Sequence, residues 1–202
     1  MRRTMALMVA VGMAMLAACA NQEAAAPPPP APGTPEWKIQ DALAAAPEAV
    51  TSGAKVVDWP VSDTTQPPTL REGTNGWTCV PDDPNTPGND PGCADEEMSR
   101  YWDAWMQRTP PRLGGMAVGY ALQGIQVASL TDPFQTAPDS GRTWLDVPPA
   151  VMIAMPNPRS YGVLPTAPTA AGPWVLWART PFAVIIVPAA RQTEPQRADS
   201  AR

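Results

Sequence analysis

Between Asp95 and Gln107 the apolar residues Met98, Tyr101, Trp102, Trp105 and Met106 recur at helical spacing and fall on one face. Glu96 and Glu97 in the first turn and Arg108 at the end suit the helix dipole, and Pro110 and Pro111 prevent continuation. The spacing therefore predicts a helix over 95–107. Upstream, Thr34 before Pro35 and Glu36 reads as an N-cap with proline in the first turn, and Pro47 reads as a stop. A second helix is expected near Glu36 to Ala46.

From Met116 the period shortens to two, placing Met116, Val118, Tyr120 and Leu122 on one face of a strand. Ala150 to Met155, bounded by prolines, reads as a buried strand. Ala54 to Trp59 reads as a short strand ending at Pro60, followed by a proline-broken loop. Asn75-Gly76 is a strong turn dipeptide with Trp77 to Val80 extended after it. Trp174 to Ala178 and Phe182 to Val187, separated by Arg179, Thr180 and Pro181, form a candidate hairpin whose second strand is apolar on both faces. The 28 prolines keep elements short, and no internal repeat is present. The pattern predicts an α+β fold: one small domain with a mostly antiparallel sheet, about two helices and many proline-rich loops.

One apolar run has no place in that domain. Met5 to Ala18 follows Arg2 and Arg3 and is shorter than the ~20 helical residues that cross a bilayer, so it reads as a signal peptide. It ends in Leu16-Ala17-Ala18-Cys19, which resembles the lipobox of bacterial lipoproteins, where small residues precede a cysteine that is acylated and becomes the new N-terminus. The resemblance covers residues 1–19 only. It implies lipidation at Cys19, attachment to the membrane through the acyl chains and residence in the cell envelope. Ala20, rather than aspartate, follows Cys19, which resembles the signal for transfer to the outer membrane and implies its periplasmic face. The rest of the organisation follows: signal peptide 1–18, Cys19 with an Ala/Pro-rich tether over 19–35, a globular domain over 36–190 and a disordered tail over 191–202.

Charge narrows the partners. The chain has 14 basic and 19 acidic residues, and losing Arg2 and Arg3 with the signal peptide makes the mature protein more acidic still. Such a surface disfavours nucleic acid and is repelled by anionic headgroups, leaving the lipid as the membrane link. The absence of histidine removes Ser-His-Asp and Cys-His nucleophile systems and the H-E-x-x-H zinc sites.

Several weaker constellations have ordinary structural readings beside them. Ser52-Gly53-Ala54-Lys55 spells S-x-x-K, the serine and lysine of penicillin-binding proteins and β-lactamases, yet it looks like a turn entering a strand. Ser62-Asp63-Thr64 departs from the S-D-N partner of that motif, and no K-T-G exists. Asp82, Asp83, Asn85, Asn89 and Asp90 could supply calcium oxygens, but these residues also build turns with their own backbone. Met152 with Met155, or Met98 with Met106, suits either a thioether copper site or plain core. Glu97 and Asp103 could form a carboxylate pair acting on a glycan, or could be helix capping and surface charge. No cofactor, metal or catalytic residue is assigned.

The eight tryptophans are spread over the whole domain. Trp102 and Trp105 share a helix face with Met98 and read as core. Trp77, beside the Asn75-Gly76 turn, is the candidate ligand contact. With Cys19 acylated, Cys79 and Cys93 remain, and an exported chain meets an oxidising compartment, so a disulfide between them is expected. Zinc would want four ligands, and a catalytic thiolate would lack its imidazole. The reading is a membrane-anchored envelope lipoprotein with a non-catalytic binding or structural domain and an envelope protein or glycan as partner. The alternative is a carboxylate-dependent enzyme acting on envelope glycans.

Overall fold

The computed structural model describes residues 28–60, 66–169 and 172–189. The expected signal peptide, Cys19, Ser62 to Thr64 and the tail over 191–202 lie outside them. In chain order the elements are helices α1 (Pro35–Leu43) and α2 (Glu48–Thr51), strands β1 (Lys55–Val57), β2 (Thr69–Arg71), β3 (Thr78–Val80) and β4 (Gly92–Ala94), and helix α3 (Glu96–Met106). Strands β5 (Ala117–Ala121), β6 (Ile125–Val127), β7 (Leu145–Val147) and β8 (Ala150–Ala154) follow, then a 3-10 turn (Pro158–Tyr161) and the strands β9 (Trp174–Leu176) and β10 (Val184–Pro188). Among the described residues no helix is long and apolar enough to cross a membrane.

The architecture is α+β, as the pattern predicts: one small domain around an eight-stranded sheet ordered β2-β1-β3-β4-β5-β8-β10-β9, with β6 and β7 pairing separately. Every ladder is antiparallel except that of β1 with β3. The candidate hairpin forms, with Ile185 opposite Val175. Both predicted helices begin at their caps. The Thr34 side chain accepts from the Trp37 amide, and Asp95 accepts from Met98 N at 2.7 Å. The first helix is shorter than expected, closing at Leu43, and α2 is an additional single turn after Pro47.

The sheet's first face carries the main core. Helix α3 lies across β4 and β5, burying Met98 and Tyr101 with Trp102 and Trp105 packed alongside. It comes that close because the strands offer small residues there. A Cβ on Gly119 would stand 3.2 Å from Met98 Cγ, and one on Gly92 would stand 3.1 Å from Trp102 Cη2. Tyr101 Oη donates to the Phe182 carbonyl at 2.6 Å, satisfying a buried hydroxyl, and Phe134 meets Phe182 edge to face. Val127 and Val147 from β6 and β7, with Trp174, Leu176 and Ile186, complete this layer.

Val118 and Tyr120 share one face of β5 as predicted, whereas the strand read as buried over Ala150 to Met155 is a correction. The buried face of β5 is Ala117, Gly119 and Ala121, while Val118 and Tyr120 are half-buried and Met116 is 55% exposed. The buried set is small because α3 needs the room. Likewise Ala150 to Met155 is buried on one face only: Ala150, Met152 and Ala154 point into the core, and Val151, Ile153 and Met155 are half-buried on the other. Part of the loop expected after Pro60 is strand β2, whose Arg71 donates to the Thr51 and Ala54 carbonyls.

Candidate functional site

Among the described residues, the second face of the sheet carries a packed cluster at each end. At one end α1 and the turn after it pack Ala42 and Ala45 against Val56, Cys79 and Cys93. Lys38 on this helix pairs with Asp58 just past β1 at 2.6 Å. Cys79 and Cys93 are opposite one another in the β3–β4 ladder and are joined by a disulfide, with their Cα atoms 4.0 Å apart. Both are fully buried. At the other end the 3-10 turn sets Tyr161 over Val175 and Ala183, with Leu164 and Ile185 alongside.

Between these ends, strand register fixes which side chains share the second face. Val118 is opposite Ile153, which is opposite Ile185; Tyr120 is opposite Val151, which is opposite Val187. With Met116 and Met155 they form an uncharged apolar face across β5, β8 and β10, half-buried except for the exposed Met116; Tyr120 adjoins the α1 cluster, and Met155 and Ile185 adjoin the Tyr161 cluster. Among the described residues no helix makes extensive contact with β8 or β10, although the 3-10 turn reaches their edge through Tyr161, whose Oη accepts from Met155 N.

Trp77 stands at the α1 end of this surface. The Asn75-Gly76 turn that precedes it has Gly76 at φ +80°, and Asn75 Oδ1 accepts from the Trp77 amide at 3.1 Å. The ring is half-buried and lies 5.4 Å from that of Tyr120, tilted by 44°. Trp77 therefore joins Tyr120, a residue that sequence reasoning did not connect with it. The disulfide makes the connection, since Cys93 is both the covalent partner of Cys79 and the ladder partner of Tyr120.

The loop between the cysteines holds the most perturbed acid. Asp90 accepts from the amides of Asp83 and Gln126 and from the Thr86 hydroxyl, and Asp82 accepts from Asp90 N at 3.0 Å. Burial outweighs these bonds and pushes the Asp90 carboxyl up to about 6, with the neighbouring Asp82 carboxyl adding to the rise. The Asp82 carboxyl is raised as well, again chiefly by burial. The pair is convergent but spends its oxygens on backbone amides of the loop and of β6 and on the Thr86 hydroxyl. Asp41 from α1 accepts from Asp82 N, and Trp59 Nε1 donates to the Pro81 and Asp82 carbonyls, so the loop is held from both sides.

The other sequence candidates are dispersed. Glu97 pairs with Arg100 and accepts from Gly114 N at 2.9 Å, whereas Asp103 is exposed on α3. Ser52 caps α2 and Lys55 lies in β1, so they share no helical face. Met152 and Met155 lie on opposite faces of the sheet, and Met98 is buried while Met106 is 42% exposed. Among the described residues no group of three or more His, Cys, Asp or Glu side chains is placed to hold a metal. No protein-family model matches the chain, and no match is found among curated proteins or solved structures.

Proposed function

We propose that this protein is a lipid-anchored envelope protein whose folded domain binds a partner protein through the apolar second face of its sheet. The observation that carries the reading is the uncharged surface of Met116, Val118, Tyr120, Val151, Ile153, Met155, Ile185 and Val187, flanked by Trp77. An apolar, flat surface of β-branched side chains with aromatics at its margin matches the core of a protein interface better than the polar groove a glycan needs. The anchor rests on Leu16-Ala17-Ala18-Cys19 and is supported by cysteine use: Cys79 and Cys93 are joined, leaving Cys19 as the odd one. A disulfide also suits an exported chain.

A photo-crosslinking residue placed at Ile153 in cells tests the interface, with Asp103 on the opposite side of the domain as the control site. A discrete adduct from position 153 and none from position 103 is expected. Equal labelling at both, or none at 153, would refute the partner reading. Fractionation tests the anchor separately: wild type stays with membranes in high salt, because acyl attachment is not screened, and Cys19→Ser does not.

The carboxylate-enzyme reading has one observation in its favour, the convergent Asp82–Asp90 pair with Asp90 raised to about 6. Glycan turnover abolished by Asp90→Asn, in a protein that still folds, would put that reading first.

A further inference from the structure

We propose that the pocket between the 3-10 turn and the β9–β10 connection binds a small amphiphilic anion, an alkyl chain carrying a carboxylate or phosphate head. This proposal stands independently of the partner surface. The pocket has a volume of about 620 Å³, within the range of small-molecule sites. Its floor is apolar, built from Tyr161, Val175 and Ala183, all at least nine-tenths buried, with Leu164 beside them. Arg159 and Arg179 line it and are exposed, and neither guanidinium has an ion pair or hydrogen bond among the described residues. No acidic side chain lines it.

The charge pattern of the chain favours an anion at this pocket. Residues 36–146 carry 16 acidic and seven basic side chains, whereas residues 147–189 carry no acid and two arginines, both in the pocket. An anion repelled by the rest of the domain meets two uncompensated guanidiniums here. Each can grip a carboxylate or phosphate through two parallel N–H donors. Arg179 has φ +67°, a left-handed conformation in the turn between β9 and β10 that glycine would hold at lower cost. A head between the arginines would leave an alkyl chain lying along Leu164, Val175 and Ala183.

Calorimetry on the purified full chain decides the matter, using octanoate and octyl phosphate below their micelle concentrations, with octanol and inorganic phosphate as the partial ligands. Saturable one-site binding of at least one of the two anions is expected, with octanol and inorganic phosphate each weaker by about tenfold or more, since each lacks half of the recognition. Preference between carboxylate and phosphate identifies the head. Arg159→Gln and Arg179→Gly should each weaken binding about tenfold; the glycine variant relaxes the backbone, so its loss cannot be ascribed to unfolding. Arg142→Gln, an exposed arginine outside the pocket, should bind like wild type. Octanol binding as tightly as the anions, an Arg142→Gln effect equal to that of the pocket variants, or no saturable binding by either anion would overturn the proposal.

Discussion

Replacing both Cys79 and Cys93 with alanine removes the covalent tie between β3 and β4 while keeping the ladder's backbone bonds. The cysteines are 14 residues apart, and closing a loop of that size contributes about 3 kcal/mol in the chain-entropy model. Pro81, Pro84, Pro87 and Pro91 already stiffen the unfolded loop and reduce that figure. Against this, two fully buried sulfurs leave the layer beneath α1, and the cavity adds on the order of 1 kcal/mol. The net loss is therefore about 2–4 kcal/mol, a large share of the ~5–15 kcal/mol that holds a domain of this size. Urea unfolding followed by tryptophan fluorescence reads it: the midpoint should fall by about 1 M or more, and the slope should not decrease, because the uncrosslinked unfolded chain exposes at least as much surface. The wild type, denatured without reductant, should expose no labelling thiol at Cys79 or Cys93. A midpoint within 0.3 M of wild type, allowing roughly 0.5 kcal/mol, would refute the assigned role of this link.

The acidic loop should make stability depend on pH. Asp90 titrates at about 6 in the folded protein and near 3.8 when unfolded, so the folded state holds the proton more tightly and wild type should lose stability as pH rises from about 4 to about 6. Asp82→Asn removes the neighbouring carboxyl that adds to the rise at Asp90. Its stability relative to wild type should therefore rise across that window by on the order of 1 kcal/mol after allowance for solvent screening, and thermal melts that run parallel across it would contradict the coupling. Asp95→Ala removes both the cap bond to Met98 N and the 3.0 Å bond to Val118 N, and should cost about 2 kcal/mol in chemical denaturation; less than 0.5 kcal/mol would show that water replaces both. Gly119→Ala drives a methyl against Met98 and the Cys93 carbonyl and should destabilise by about 1–2 kcal/mol, and a neutral or stabilised variant would mean that α3 can shift outward.

Helices were the legible part of this fold because their signals are local. Asp95 and Thr34 cap their own helices, and Met98 and Tyr101 fall inward at helical spacing whatever else the chain does. Strand β4 was illegible for the opposite reason. Gly92-Cys93-Ala94 has no β-branched or aromatic residue, and it is a strand because β3 and β5 flank it and α3 needs small residues beneath it. Strands β2, β6 and β7 are three residues each, too short for alternation to register.

The candidate site shows a subtler failure of pattern reading. In β5, β8 and β10 both faces are apolar, so the alternation that would separate core from surface is carried by size rather than polarity. In β5 the larger set, Val118 and Tyr120, is the outward one, because the inward positions Ala117, Gly119 and Ala121 make room for α3. Alternation alone therefore predicts the shared face of Val118 and Tyr120 but not its direction, which tertiary packing decides. The same packing creates the proposed interface, since α3 takes the small residues and leaves Met, Val, Ile and Tyr on the outward face between the α1 and Tyr161 clusters. Trp77 was visible through its turn, but Tyr120 became its neighbour only through the Cys79–Cys93 and Cys93–Tyr120 pairings, which no local pattern encodes. For Arg159 and Arg179 a sequence signal did exist: the acid-free stretch from Val147 to Thr193 stands out in so acidic a chain. Total charge concealed it, because a net value averages away a region where positive charge is left unopposed.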